Sequence, residues 1–200
     1  MGSQNKDPDL DHPTDEDALF DARILGKSIV LVGMMGVGKT TIGRRLAPKV
    51  GLPFRDADEE IERAAGMSVS DLFEKHGEPS FRRGETQVIE RLLSGPPIVL
   101  ATGGGAMTIE ATRHVIKEKS VSVWLSADAD TITTRARRRD TRPLLRTDNP
   151  RKTIETLMSE REQFYRQADL RVDSASGPHT KTVERLVEAL QGFARKDTPS

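Results

Sequence analysis

One eight-residue segment, Gly33-Met34-Met35-Gly36-Val37-Gly38-Lys39-Thr40, constrains the fold more than any other part of the chain. It fits G-x-x-x-x-G-K-[ST]. It follows Ser28-Ile29-Val30-Leu31-Val32, a β-branched run without polar alternation, which reads as a strand covered on both faces. After it, Ile42, Leu46 and Val50 recur at helical spacing and stop at Gly51. Strand, glycine-rich turn and helix in that order make an anion cradle. The glycines let backbone N–H groups curl around phosphate oxygens. Lys39 offers a point charge, Thr40 offers a hydroxyl to Mg²⁺, and the helix presents its positive end to the same anion. The bland alternative is an ordinary strand-to-helix turn, but chance supplies the four fixed positions in under about one in a hundred chains of this size.

The remaining pattern predicts the frame around that cradle. Strand-like runs at 52–56, 98–101, 121–125 and 170–173 alternate with helical stretches at 59–65, 79–93, 109–117, 128–138, 151–165 and 181–195. A turn or two of helix is expected at 70–75. This alternation implies crossover connections and an α/β fold with a mainly parallel sheet. Two hundred residues suit one domain. Residues 1–23 hold seven acids, two bases and few apolar residues; they read as a disordered acidic tail. The domain then spans 24–196, and 197–200 form a C-terminal tail.

Composition removes several function classes. The 31 basic and 31 acidic residues cancel, unlike a protein that coats nucleic acid. With no cysteine, disulfides, thiol catalysis and Cys-ligated zinc are excluded. No apolar run reaches the ~18 residues of a membrane span, and the N-terminus lacks the basic-then-apolar pattern of a signal peptide. A cytoplasmic protein that binds neither membrane nor nucleic acid is expected.

Four further clusters carry chemistry. Asp56 and Asp58 end the 52–56 strand, where parallel sheets bind ligands. One could hold Mg²⁺ through water and the other orient an acceptor hydroxyl; alternatively, the pair caps the next helix. Phe81-Arg82-Arg83 sets an arginine fork on a helix, suited to a carboxylate or to simple solvation. Gly103-Gly104-Gly105 follows the 98–101 run, either as a flexible turn or as backbone meant to approach a ligand closely. Residues 135–152 hold eight bases, two acids and no aromatic residue. Without aromatics the run does not read as a nucleic-acid site. A mobile lid at about 138–150 fits better, closing an arginine over transferring phosphates, with Arg142-Pro143-Leu144-Leu145 as hinge and finger.

Taken together, in order, these segments resemble the shikimate kinase family, within the nucleoside-monophosphate-kinase-like branch of phosphate-loop proteins. The likeness covers 33–40, Asp56-Ala57-Asp58, Phe81-Arg82-Arg83-Gly84-Glu85, Thr102 to Gly105, Arg142 to Leu145, and Arg161 before Phe164-Tyr165. It implies a three-layer sandwich with five parallel strands in the order 2-3-1-4-5, helices on both faces, and a lid. It implies transfer of the ATP γ-phosphoryl group to the 3-hydroxyl of shikimate, with Mg²⁺ as cofactor, in aromatic amino-acid biosynthesis. By the same resemblance Lys39, Asp58 and Arg142 are catalytic. ATP lies on Gly33, Met34, Met35, Gly36, Val37, Gly38, Lys39, Thr40 and Thr41, with Arg135 over adenine and Arg142 on the phosphates. Shikimate lies on Asp58, Arg82, Gly103, Gly104, Gly105 and Arg161. Thr40 and, through water, Asp56 hold the metal. The partners expected are ATP and shikimate, on a monomer. Some relatives carry an arginine after the last strand, and here Ser174-Ala175-Ser176-Gly177-Pro178 has none. Two rival readings are a kinase of another small hydroxy acid such as gluconate, and a non-catalytic nucleotide-binding regulatory module.

Overall fold

The computed structural model describes residues 20–137, 149–174 and 177–197. The acidic segment through residue 19, most of the expected lid including Arg142, Ala175-Ser176 and residues 198–200 lie outside the described residues.

Five strands form one parallel sheet: β1 (Ser28–Val32), β2 (Phe54–Asp56), β3 (Val99–Ala101), β4 (Ser120–Ser126) and β5 (Leu170–Asp173). Their order is β2-β3-β1-β4-β5, and every pairing is parallel. The central strand β1 is buried along its whole length, which explains its unbroken apolar run. Side chains alternate across a strand. Accordingly Ile29 and Leu31 join a core with Ile42, Leu46, Leu186 and Leu190. Val30 and Val32 join a second core with Ile89, Ile116 and Ile154. The first core lies under α1 (Lys39–Lys49) and α7 (His179–Asp197). The second lies under α3 (Val69–Leu93), α4 (Glu110–Lys119) and α6 (Pro150–Tyr165). Short α2 (Ala57–Ala65) follows β2, and α5 (Ala129–Arg137) follows β4. Among the described residues no helix is long and apolar enough to cross a membrane.

One expectation is met and one needs correction. The segment 70–75 and the stretch 79–93 are two helical stretches within α3, divided at Gly77, whose φ of 74° and ψ of 164° are not helical. Pro79 then falls in the first turn of the second stretch, where its missing N–H costs no helical hydrogen bond. The boundary of the tail at residue 23, by contrast, is too late. The Phe20 N–H donates to the Lys49 carbonyl (3.2 Å) and the Ala22 N–H to the Val50 carbonyl (3.0 Å). Ala22 is fully buried. Asp21 caps a single 3-10 turn, Ala22–Leu25, which Gly26 ends in a left-handed conformation. The surrounding acids dominate the composition, but Phe20, Ala22 and Leu25 still pack on the first core.

Candidate active site

In a parallel sheet all strands end on one edge, so the loops after β1, β2 and β3 meet there. The loop after β1 starts at Gly33 (φ 136°), where an added Cβ would run into the Leu125 carbonyl at the end of β4. Only glycine fits this position. Gly38 precedes α1 with no side-chain cap. The helix N-terminus is therefore not capped by a side chain at Gly38, and its positive end faces the loop, an arrangement that suits an anion. The buried Lys39 ammonium donates to the carbonyls of Gly33 (2.8 Å) and Met34 (2.9 Å) within its own loop. Thr41 sits in the first turn of α1, partly buried.

The second loop adds oxygen donors. The Thr40 hydroxyl donates to Asp56 Oδ2 at 2.7 Å. Asp56 Oδ1 accepts the Asp58 N–H at 3.0 Å, which caps α2. Asp56 thus caps α2, as the structural reading of the pair expects, and also faces the phosphate loop. A hydroxyl and a carboxylate are hard donors of the kind Mg²⁺ takes. No group of three His, Cys, Asp or Glu among the described residues could hold a metal alone. Two such donors suit an ion that takes its remaining ligands from water or phosphate oxygens.

The third loop gathers an acid and two arginines. A Cβ at Gly103 would lie 3.2 Å from Asp58 Oδ1 and 2.7 Å from Glu85 Oε1. A Cβ at Gly105 would overlap the Arg82 guanidinium. The Gly104 carbonyl accepts from Arg161 Nη1 (3.1 Å) and from the Tyr165 hydroxyl (2.5 Å). A Cβ at Gly104 would lie 2.9 Å from the Met35 nitrogen of the phosphate loop. Three consecutive glycines therefore join Asp58 of α2, Arg82 of α3 and Arg161 of α6, beside the loop after β1.

The electrostatics follow from this crowding. Burial, then the nearby Asp56 and Glu85 carboxylates, raise the Asp58 carboxyl to about 6, against the pull of Lys39. Glu85 is fully buried. Its Oε2 accepts from Arg82 at 2.7 Å, and its Oε1 has no partner among the described residues. Burial raises its carboxyl, with Arg82 opposing. Arg82 also donates to Glu78 and lies over the Phe81 ring at 5.3 Å. Arg135 Nη1 reaches the Val37 carbonyl (3.3 Å) and the Ser174 carbonyl (3.0 Å), beside the phosphate loop.

Sequence reasoning assigned no role to Glu85, Tyr165 or His179. Glu85 stands three residues after Arg82, on the same helix face, a spacing that could have marked the pair. His179 lies against Gly38 with its Nδ1 buried and, among the described residues, unpartnered. Burial, then Arg135 and Arg45, hold its imidazole below the usual range.

Comparison with known proteins gives the family of the chain. The family described as shikimate kinase matches residues 35–191. Shikimate kinase from Bradyrhizobium diazoefficiens is 58% identical over 165 residues, 82% of this chain and 80% of that one. The structure of shikimate kinase from Acinetobacter baumannii in complex with shikimate is similar with a TM-score of 0.80 and 37% identity. It covers 86% of this chain and 96% of that one. A gluconokinase from Sinorhizobium meliloti 1021 has a TM-score of 0.57 at 19% identity, over 85% of this chain and 94% of that one, and shares the fold alone. A match that runs from the phosphate loop into the last helix, with more than half the residues identical across most of both chains, places this chain in the shikimate kinase family.

Proposed function

We propose that the two sides of this cleft divide the reaction of the family, transfer of the γ-phosphoryl group of ATP to the 3-hydroxyl of shikimate. On the nucleotide side, residues 33–41 cradle the phosphates, Lys39 neutralises the β- and γ-oxygens, and Arg135 lies along adenine. Thr40 would hold Mg²⁺ directly and Asp56 through water; the ion supplies charge neutralisation between the phosphates. On the acceptor side, Arg82 and Arg161 grip the carboxylate, and the backbone of Gly103, Gly104 and Gly105 lines the ring. Asp58 orients the 3-hydroxyl and accepts its proton. The hydroxyl oxygen then bonds to the γ-phosphorus as the bond to the bridging oxygen breaks, releasing ADP. A carboxyl held near 6 is ionised at neutral pH yet basic enough for this role. Arg142, assigned from its motif alone, closes on the phosphates where charge develops. The protein acts as a cytoplasmic monomer on two small molecules, without nucleic acid or membrane.

The observation that supports this reading best is the convergence of an acid and two arginines, from three separate helices, on three consecutive glycines. That polarity suits a polyhydroxy acid, with hydroxyls at one end and carboxylate at the other. The test is Arg82→Ala. A lost charge-assisted hydrogen bond of about 1.5–3 kcal/mol should raise the shikimate KM about 10- to 150-fold. The ATP KM should stay within about twofold, since Arg82 is outside the cradle. Unchanged shikimate KM would remove Arg82 from the acceptor site.

A further inference from the structure

We infer that the Tyr165 hydroxyl is a positioning group for the acceptor side of the reaction, fixing the Gly104 peptide against which the acceptor is held. This inference rests on the acceptor-site reading above.

Tyr165 is 2% exposed, and its ring lies 6.0 Å from that of Trp124 in the second core. Packing therefore explains the ring. It does not explain the hydroxyl, which donates to the Gly104 carbonyl at 2.5 Å and lies 3.7 Å from Met34 Sδ. The same carbonyl takes Arg161 Nη1 at 3.1 Å. Arg161 and Tyr165 are four residues apart, so they share one face of α6, and both spend a donor on one backbone oxygen. Burial lifts the phenol to about 12, which keeps it a donor throughout the neutral range.

A glycine segment needs such an anchor. Its residues have no side chains to pack, and glycine visits both halves of φ space freely. A peptide plane is rigid and trans. Holding the Gly104 oxygen on α6 therefore aims the Gly105 N–H the opposite way. Gly105 packs directly on the Arg82 guanidinium. The hydroxyl thus shares with Arg161 the task of orienting the backbone beside Arg82, and Arg82 and Arg161 are the two groups assigned to the acceptor carboxylate. Removing it leaves the peptide held by Arg161 alone, a side chain that must also serve the carboxylate, while Phe preserves the ring packing.

The test is Tyr165→Phe in the full chain, measured beside Arg82→Ala. Tyr165→Phe should raise the shikimate KM about 5- to 20-fold, with the ATP KM within about twofold. A purely structural hydroxyl would leave both constants unchanged or move both together, and either result overturns the inference. If Arg82→Ala raises the shikimate KM and Tyr165→Phe does not, the acceptor site stands and this inference fails alone. If neither does, the site reading itself fails. A second measurement applies even if the variant folds poorly. Tyr165 is the sole tyrosine of the chain, so biosynthetic 3-fluorotyrosine yields a single ¹⁹F resonance. Saturating shikimate without nucleotide should shift that resonance, and a stationary line would overturn the inference.

Discussion

Replacing Asp58 with Asn should make the folded protein more stable and the enzyme slower. Burial and two neighbouring carboxylates raise the Asp58 carboxyl from 3.8 to about 6. The folded state therefore binds this proton more tightly than the unfolded chain, and the ionised form costs stability. The cost is absent below pH about 4, grows as pH rises toward 6, and is constant above it. About two units correspond to about 3 kcal/mol at full burial. Asp58 is only partly buried, and allowing for water at the carboxylate gives about 1–3 kcal/mol. For a domain of this size that is a melting-temperature difference of about 2–10 °C. No hydrogen bond from a described residue ends on the Asp58 carboxylate, and its N–H, which caps α2, is untouched by the change. The assay is thermal unfolding of both proteins from pH 4 to 8. The variant should gain on the parent as pH rises, then hold a constant lead. Its kcat should fall about 10²- to 10⁴-fold, because an amide cannot take the proton. Coincident melting curves at every pH, or a variant less stable at pH 7 than its parent, would refute the reasoning.

Lys39→Ala should abolish turnover and leave far-UV circular dichroism intact, since the ammonium bonds to the Gly33 and Met34 carbonyls of the phosphate loop and does not belong to either apolar core; near-normal activity would refute the phosphate-loop assignment. Arg142→Ala should lower kcat far more than it weakens shikimate binding, as steady-state rates beside a shikimate titration would reveal. Deleting residues 2–19 should leave the melting temperature and turnover nearly unchanged. Extending the deletion to residue 23 removes the buried Ala22 and the Phe20 contact with α1 and should lower the melting temperature by about 3–8 °C.

Much of the fold was legible because its signals are local. Ile29, Val30, Leu31 and Val32 announce a strand with two buried faces, and Gly33 to Thr40 announce the turn and helix that follow. Strand order was different: no spacing places β3 between β2 and β1, and only the family resemblance supplied it. The early packing of Phe20 and Ala22 was hidden because three apolar contacts are lost in an acidic average. Candidate site residues were legible where a residue type suggests a ligand, as with Lys39, Asp58 and Arg82, which the fold brings to one edge of the sheet. They were not legible where a residue acts through another. Glu85 pairs with Arg82, and Tyr165 holds a carbonyl of Gly104 sixty-one positions away. A lone tyrosine after a helix face offers no such hint until the backbone brings the glycines to it.

The assigned reaction is tested most directly by a coupled assay of ADP release, run with Mg²⁺ and ATP against shikimate, gluconate and nucleoside monophosphates in parallel. Shikimate alone should drive stoichiometric ADP formation with matching appearance of a phosphate monoester, while the other acceptors stay at the rate without acceptor. Turnover with gluconate or a nucleoside monophosphate that equals or exceeds the shikimate rate would contradict it.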